Sequence, residues 1–344
     1  MSSPEEILAA AQAAREEVGN GHGRPATTAR ARAAVASLGN GHATAAPPPQ
    51  RAAAERSLPR ALLVAVRPRQ WLKNLLVLAA PLAAGVLGLN GVLVEVAAAF
   101  VAFCLAASGS YLLNDVLDVE ADRRHPVKRM RPVAAGAISV RLASGIGIGM
   151  IAAALALAAA VRLEFLGVVV LYVAITTAYS LWLKHVAVVD LAVVASGFVL
   201  RAVAGGAAVG VPLSRWFLIV ASFGSLFMVA GKRYGEHDEL GEERASVRPT
   251  LAEYPREYLR YVWMLASGVA ITAYCLWAFE QGGSASSPWY GLTIVPFVLG
   301  VLRYALLLES GRGSAPEDVV LGDGTLKFCG FAWVILFGIA VYVG

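Results

Sequence analysis

The sequence has little charge for its length, and that charge is unevenly placed. Asp, Glu, Lys and Arg make up only 15% of its 344 residues, whereas about a quarter is usual in a soluble globular domain. The mean hydropathy of the chain is +0.63. Because the charges stand between long apolar runs, the composition excludes an ordinary soluble domain and indicates a multi-pass membrane protein.

Cysteine is also scarce, with three residues in the chain. Cys104, Cys275 and Cys329 each lie inside an apolar run, with no Cys-x-x-Cys pair and no histidine cluster around them. This pattern favours small core side chains over a disulfide framework or a zinc site. A cleavable secretory signal is not predicted, since the amino terminus lacks a charged start followed by an apolar core.

The first residues differ in composition from the rest of the chain. Residues 1–56 are rich in Ala, Gly, Pro and Arg and repeat the tetrapeptide Gly-Asn-Gly-His. Such a segment cannot bury enough apolar surface to fold, so we expect a disordered tail followed by one membrane domain over residues 57–344. The repeated His22 and His42 could bind a metal, or they could simply belong to a linker.

Nine apolar runs follow the tail, and most are long enough to cross a bilayer. The first run is short and contains Pro81, so we expect it to be kinked or tilted. The predicted fold is an all-α transmembrane bundle of about nine helices. The runs lie near residues 75–91, 92–113, 139–161, 165–183, 187–211, 216–231, 259–279, 289–308 and 327–343.

Lys and Arg are distributed unequally among the connections between these runs. Most precede the first run or follow the second, fourth, sixth and eighth runs, and the other connections hold few. Because basic loops stay on the cytoplasmic side, this predicts a plasma-membrane protein with its amino terminus inside and its carboxyl terminus outside. Basic loops also account for the formal net charge of +5, so nucleic-acid binding is not predicted.

An acidic segment at the end of the second run carries the strongest chemical signal. On a helix, the spacing of Asp115, Asp118 and Asp122 would place all three on one face, with Asn114 beside them. Such carboxylates repel one another unless a cation lies among them, and Mg²⁺ prefers carboxylate oxygens completed by substrate phosphates. A solvated helix end is the alternative, but acids at a membrane boundary are costly and usually functional. We therefore predict that the three aspartates are the metal ligands and catalytic residues.

A basic segment follows the acidic one directly. A metal would bind some oxygens of a polyphosphate ligand, and Lys and Arg would bind others. For Arg123, Arg124 and Arg129 the positive-inside rule is a sufficient explanation. For Lys128 and Arg131 both explanations stay open, and we include them among the predicted phosphate-binding residues.

The pattern Asn-Asp-x-x-Asp-x-x-x-Asp, followed by Lys-x-x-Arg-Pro, resembles the first signature of the UbiA superfamily of intramembrane transferases. The resemblance covers roughly residues 60–344. It implies a nine-helix bundle with a Mg²⁺-dependent site that opens to the cytoplasm. Further stretches are similar to the branch that transfers a phosphoribosyl group to decaprenyl phosphate: 67–74, 179–184 with Asp190, and 231–236.

The last of these stretches separates two branches of the superfamily. Its aromatic prenyltransferases usually carry a second Asp-x-x-x-Asp motif after the sixth span, where this chain has Lys232 and Glu236. A lysine in place of a metal-binding carboxylate would bind a phosphate directly. This departure favours phosphoribosyl pyrophosphate over a prenyl diphosphate as the donor, and the alternative is a lysine that only sets topology.

Two charged residues lie inside the fifth run, where charge is costly. Asp190 could hold a ribose hydroxyl or a metal, or pair with Lys184. Arg201 could neutralise the lipid phosphate or pair with a neighbouring helix. The predicted substrate-binding set is Lys73, Asn74, Asn114, Lys128, Arg131, Tyr179, Lys184, Asp190, Arg201, Lys232, Arg233 and Glu236.

The resemblance thus implies transfer of the 5-phosphoribosyl group from phosphoribosyl pyrophosphate to decaprenyl or another polyprenyl phosphate. Pyrophosphate is released, Mg²⁺ is the cofactor, and the product is a precursor for arabinan and cell-wall synthesis. An aromatic-acceptor prenyltransferase of the same superfamily and an ion-coupled transporter are the alternatives. A transporter would place its acids near the middle of the bilayer. The oligomeric state stays open, a homo-oligomer such as a trimer included.

Overall fold

The computed structural model describes residues 53–125, 127–241, 249–285, 288–312 and 316–343. The predicted tail, with His22 and His42, lies outside the described residues as far as residue 52. Every regular element in the described part of the chain is a helix. The prediction of an all-α fold is therefore confirmed.

Three short elements form the first predicted run and the residues before it. They are α1 (Leu58–Ala65), a 3₁₀ helix (Pro68–Leu78) and α2 (Ala79–Ala83), which contains Pro81. Proline has no N–H to donate to the carbonyl four residues earlier, so a regular α-helix is interrupted here. A 3₁₀ helix rises about 2 Å per residue, so residues 68–83 reach about 30 Å, the thickness of the hydrocarbon core.

Eight helices in the described ranges are long and apolar enough to cross a membrane. They match the second to ninth predicted runs, and with the 3₁₀ segment they account for about nine crossings. The chain is an integral membrane protein. The long helices are α3 (Val92–Leu117), α5 (Val140–Val161), α6 (Leu163–Leu181), α7 (Val189–Val209), α8 (Arg215–Leu240), α10 (Arg256–Ala285), α11 (Pro288–Glu309) and α13 (Gly324–Tyr342).

Short helices occupy the connections at one end of the bundle, where α3, α6, α8 and α11 end. Because successive spans run in opposite directions, all of these connections lie on the same side of the membrane. This end carries the basic connections, so the sequence predicts that it faces the cytoplasm. The short helices are α4 (Val119–Arg124), 3₁₀ helices at Lys128–Met130 and Leu183–His185, α9 (Pro249–Glu253) and α12 (Pro316–Gly322).

The core has an amino-terminal and a carboxyl-terminal half. Phe103, Phe165 and Tyr172 fill the first half, and Tyr234 and Trp263 lie in the second. Small residues bring backbones together, as helix packing in a membrane requires. A Cβ on Gly109 of α3 would lie 2.7 Å from the carbonyl oxygen of Gly147 of α5, so these two helices touch through their backbones.

Candidate functional site

The three predicted metal-binding aspartates lie on consecutive turns at the junction of α3 and α4. Asp118 separates the two helices with φ −92° and ψ 5°. The backbone ladder continues through it, because Asp118 N–H donates to Asn114 at 2.9 Å and Asp122 N–H donates to Asp118 at 2.8 Å. The common face predicted from the spacing is therefore kept, and Asp115 and Asp122 are buried.

Arg131 joins two of these carboxylates. Its Nη1 lies 3.1 Å from Oδ1 of Asp115 and 2.8 Å from Oδ2 of Asp122. The chain turns back after α4 through the 3₁₀ helix at Lys128–Met130, which returns Arg131 to the acidic face. One nitrogen thus lies within bonding distance of both carboxylates, so the two acids face the same point.

Arg67 is a site residue that is missing from the predicted set. Its Nη2 lies 2.6 Å from Oδ1 of Asp115, and its guanidinium lies over the ring of Tyr111, 4.7 Å from the centroid. The Arg67 backbone is left-handed, with φ 53° and ψ 61°. The sequence offered one signal for Arg67, its place at the start of the 67–74 stretch. The next residue, Pro68, also disfavours an α conformation at Arg67.

Asp118 has a separate cationic partner. Nζ of Lys184 lies 2.7 Å from Oδ1 of Asp118, across 66 residues of sequence. Lys184 belongs to the 3₁₀ helix after α6, and Tyr179 lies half-buried in the last turn of α6. The structure thus brings Lys184, one of the predicted substrate-binding residues, to the acidic face.

An open cavity of about 250 Å³ lies over Asp115. Its wall combines one carboxylate with three arginines, a composition suited to a phosphate-bearing ligand. Arg56, which the predicted tail included, is part of this wall, and Ala53 is buried. The lining residues are Arg56, Val64, Arg67, Asp115, Val127, Met130, Arg131 and Pro132.

A second charged cluster surrounds Asp190 near the start of α7. Asp190 is fully buried, and Nε of Arg233 lies 3.5 Å from its Oδ2. Arg233 Nη1 also lies 3.0 Å from Glu236, which in turn lies 3.7 Å from Nζ of Lys232. The predicted residues of the sixth-span stretch therefore form one network with Asp190.

Tyr254 completes this cluster and was not predicted from the sequence. Its hydroxyl donates to Oδ1 of Asp190 and accepts from the backbone N–H of Val188. Burial, together with the hydrogen bond to Asp190, raises the pKa of Tyr254, so the phenol stays protonated and available as a donor. A tyrosine in the connection before α10 carries no recognisable sequence signal for this contact.

Arg201 and Asn74 lie together, deep in the bundle. Nε of Arg201 donates to Oδ1 of Asn74 at 2.7 Å, and Nη2 donates to Tyr172 at 2.9 Å. Asn74 also contacts Cys104 of α3 at 3.2 Å. Cys104 precedes Asp115 by three helical turns, about 16 Å along the axis. Two explanations were offered for Arg201. The structure contains the second, in which the guanidinium pairs with side chains of neighbouring elements.

The remaining predicted residues lie near these clusters. Nζ of Lys73 lies 5.8 Å from the centroid of the Phe198 ring. Asn114 is half-buried one turn before Asp118, and half-buried Lys128 donates its backbone N–H to His125 at 3.2 Å.

A metal site is not preformed in the described ranges, where no three His, Cys, Asp or Glu side chains are gathered closely enough to hold an ion. Arginine and lysine nitrogens lie against the three aspartates instead. The chemistry of the donors still suits Mg²⁺, which commonly binds one or two carboxylates and completes its shell with waters and substrate phosphates. Asp115 and Asp122, which face a common point, are such a pair.

Known proteins resemble the chain over most of its length. The model of the UbiA prenyltransferase family matches residues 74–333. The decaprenyl-phosphate phosphoribosyltransferase of Corynebacterium glutamicum is 46% identical over 81% of this chain and 86% of its own length. The enzyme of that name from Mycobacterium tuberculosis is also 46% identical, over 81% of this chain and 94% of its own length.

Solved structures share the fold at low identity. A UbiA homolog from Archaeoglobus fulgidus, solved with GPP and Mg²⁺ bound, superposes with a TM-score of 0.65 at 20% identity, over 83% of this chain and all of that chain. Digeranylgeranylglyceryl phosphate synthase superposes at 0.57 with 14% identity, over 83% of this chain and 99% of that chain. The family model covers far more than half of the sequence, so this chain belongs to the UbiA prenyltransferase family.

Proposed function

We propose that this protein transfers the 5-phosphoribosyl group of phosphoribosyl pyrophosphate to decaprenyl phosphate or a similar polyprenyl phosphate. The observation that carries the proposal is the 46% identity, over 81% of the chain, to relatives named for this reaction. The acidic face with its arginines and lysine supports it, because a polyphosphate donor needs both metal-binding carboxylates and cations.

The reaction exchanges one bond at the anomeric carbon of the ribose. An oxygen of the acceptor phosphate forms a bond to C1, and the bond from C1 to the pyrophosphate oxygen breaks. The sugar develops oxocarbenium character, as in other glycosyl transfers, while negative charge collects on the departing pyrophosphate. The acceptor is already an anion, so no strong general base is required.

Asp115 and Asp122 would hold Mg²⁺ in this proposal, with Asp118 as the third carboxylate. Bound there, Mg²⁺ would neutralise charge on the pyrophosphate group. Metal and donor would replace the present pairing of the acids with Arg131 and Lys184. The released side chains could then bind donor phosphates, a role in which Arg67 and Lys128 would join them.

Lys232 is proposed to bind a further phosphate of the donor. It is about two-fifths exposed and lies on the turn of α8 that also carries Arg233 and Glu236. Its distance of 3.7 Å to Glu236 is long for an ion pair, and such partly exposed pairs contribute little stability. A donor phosphate could therefore compete with Glu236 for this lysine.

The arrangement of the site in the membrane suits these two substrates. We place the end of the bundle with the acidic face in the cytoplasm, with the amino terminus inside and the carboxyl terminus outside. A water-soluble donor would reach the site from the cytoplasm, while the lipid tail of the acceptor stays in the bilayer. The acids cluster at one end of the helices rather than at mid-membrane, which disfavours an ion-coupled transporter.

Direct assay of the purified full-length protein in lipid nanodiscs tests the proposal. With Mg²⁺, decaprenyl phosphate and phosphoribosyl pyrophosphate labelled in the ribose, we expect label in the lipid fraction and an equal amount of pyrophosphate. The transfer should disappear when EDTA is added. A matched reaction supplies decaprenyl diphosphate with an aromatic acceptor. Prenylated product there, with no labelled lipid in the first reaction, would contradict the proposal.

A further inference from the structure

The connection between α6 and α7 ends in an unusual backbone conformation. Val188 has φ +67° and ψ −46°. This region is unfavourable for L residues and more so for a β-branched side chain. Such a conformation persists only where surrounding contacts hold it, and it is often found at functional sites.

Contacts from a distant part of the chain hold the turn from Lys184 to Asp190 at both ends. The hydroxyl of Tyr254 binds the N–H of Val188 and the carboxylate of fully buried Asp190. The hydroxyl of Thr250, also fully buried, reaches the carbonyl oxygen of Lys184 at 3.5 Å. The segment from Thr250 to Tyr254 therefore contacts the turn at its beginning and at its end.

The turn matters because it carries Lys184 to the acidic face. Nζ of Lys184 lies 2.7 Å from Asp118, and the Lys184 backbone belongs to the 3₁₀ helix that leads into Val188. If Val188 relaxed to negative φ, the direction of the chain would change within four residues of Lys184. The lysine would then leave Asp118.

We propose that Tyr254 is a positioning residue that holds the strained turn at Val188, so that Lys184 stays against Asp118. Tyr254 acts through the backbone of the turn and through Asp190, with no contact to substrate required. The kinetic consequence rests on the proposed function, since Lys184 and Asp118 belong to the donor site assigned there.

A rescue experiment separates positioning from other roles of Tyr254. Tyr254→Phe removes the hydroxyl, so Val188 can relax. Val188→Gly in the same chain removes the strain, because glycine adopts positive φ as readily as negative φ. The turn should then keep its shape without the tyrosine. Tyr258→Phe is the matched control, since its ring stacks on Tyr254 with 5.8 Å between centroids.

We expect Tyr254→Phe to lower kcat/KM for the donor about tenfold, a loss of about 1.4 kcal/mol of transition-state stabilisation. The double variant Tyr254→Phe with Val188→Gly should recover most of that loss, and Tyr258→Phe should match the wild type. An undiminished kcat/KM in Tyr254→Phe, an unrepaired loss in the double variant or an equal loss in Tyr258→Phe would overturn the inference. If Tyr254→Phe does not fold, a folded double variant supports the inference and an unfolded one overturns it.

Amide hydrogen exchange gives a second readout that needs no substrate. In full-length protein in nanodiscs, exchange over residues 183–192 should be faster in Tyr254→Phe and return towards wild-type rates in the double variant. This pattern without any transfer by the wild type would refute the proposed function alone. Transfer by the wild type, with rate and exchange both unchanged in Tyr254→Phe, would refute the inference alone.

Discussion

Asp115 is the residue on which two arginines of the site converge. Its Oδ1 lies 2.6 Å from Arg67 and 3.1 Å from Arg131, and the residue is 1% exposed. A buried charge needs such partners, because desolvation without pairing is costly. At the scale of single residues, the carboxylate therefore balances two guanidinium groups and is also the proposed ligand of Mg²⁺.

Neutralising one aspartate should stop the reaction without unfolding the protein. Asp115→Asn and Asp118→Asn keep side-chain volume and lose a metal ligand. We expect a roughly hundredfold or larger loss of transfer at saturating donor, since a bound metal supplies several kcal/mol of charge stabilisation. Initial rates measure the loss, and thermal unfolding in detergent checks the fold. Asp238→Asn, whose partner Arg256 lies 2.7 Å away, is the matched control. Full activity in either site variant would refute the metal assignment.

Lys232 tests the choice between donors. Lys232→Ala should raise the KM for phosphoribosyl pyrophosphate, or lower turnover, without shifting the Mg²⁺ requirement. Lys232→Asp restores the acidic spacing of the aromatic prenyltransferases and should be inactive with phosphoribosyl pyrophosphate, because a carboxylate repels the phosphate. Titrations of donor and of Mg²⁺ against initial rate measure both effects.

The opposite result has a definite meaning for Lys232. If Lys232→Asp kept wild-type donor affinity, the lysine would only anchor the helix end at the membrane surface. The main residue-level reason for distinguishing this chain from aromatic prenyltransferases would then be lost.

At the scale of elements, the position of the 3₁₀ segment depends on its packing against α7. A Cβ on Gly205 would lie 1.8 Å from the carbonyl oxygen of Val77, so the segment packs directly on the backbone of α7. Pro81 has no N–H to donate to the Val77 carbonyl. That carbonyl is directed towards a neighbouring helix instead. The same segment begins beside Arg67, whose position at Asp115 therefore depends on this packing.

Gly205→Ala should displace the 3₁₀ segment. The added methyl group meets backbone atoms, which cannot move as a flexible side chain would, so we expect about 1–3 kcal/mol of destabilisation. The unfolding temperature should fall, and transfer should fall with it as Arg67 moves. Gly145→Ala, where a Cβ would meet nothing within 4 Å, is the matched control. Equal stability of the two variants would show that the segment is not held by this contact.

At the scale of the whole molecule, the membrane domain is proposed to work without residues 1–50 of the amino-terminal tail. Deleting residues 1–50 should leave turnover in detergent largely unchanged, since the composition of that segment predicts no packed element. A longer deletion through residue 57 removes buried Ala53 and the cavity residue Arg56, and we expect it to lower transfer. Comparison of kcat for the two deletions checks this boundary. A large loss in the shorter deletion, with folding intact, would give the tail a catalytic or assembly role.

Composition and periodicity alone determined the membrane class, the eight long helices and the common face of Asp115, Asp118 and Asp122. These features are local: apolar run length sets a span, and residues three or four apart share a helix face. The proximity of Lys232 and Glu236 was predictable for the same reason, because the two residues are four apart on one helix. The family was also identified from local motifs, and the family comparison confirms it.

Only the tertiary structure decided which charged and polar residues meet. Arg67 and Asp115 are 48 residues apart, Lys184 and Asp118 are 66 apart, and Arg201 and Asn74 are 127 apart. Apolar runs specify that helices form, but they do not specify which faces pack together, because lipid is as apolar as a neighbouring helix. The partners of Tyr254 and the 3₁₀ form of the first span depend on backbone contacts between distant helices. The pattern of residues along the sequence does not show such contacts, because the residues that make them are far apart in the chain.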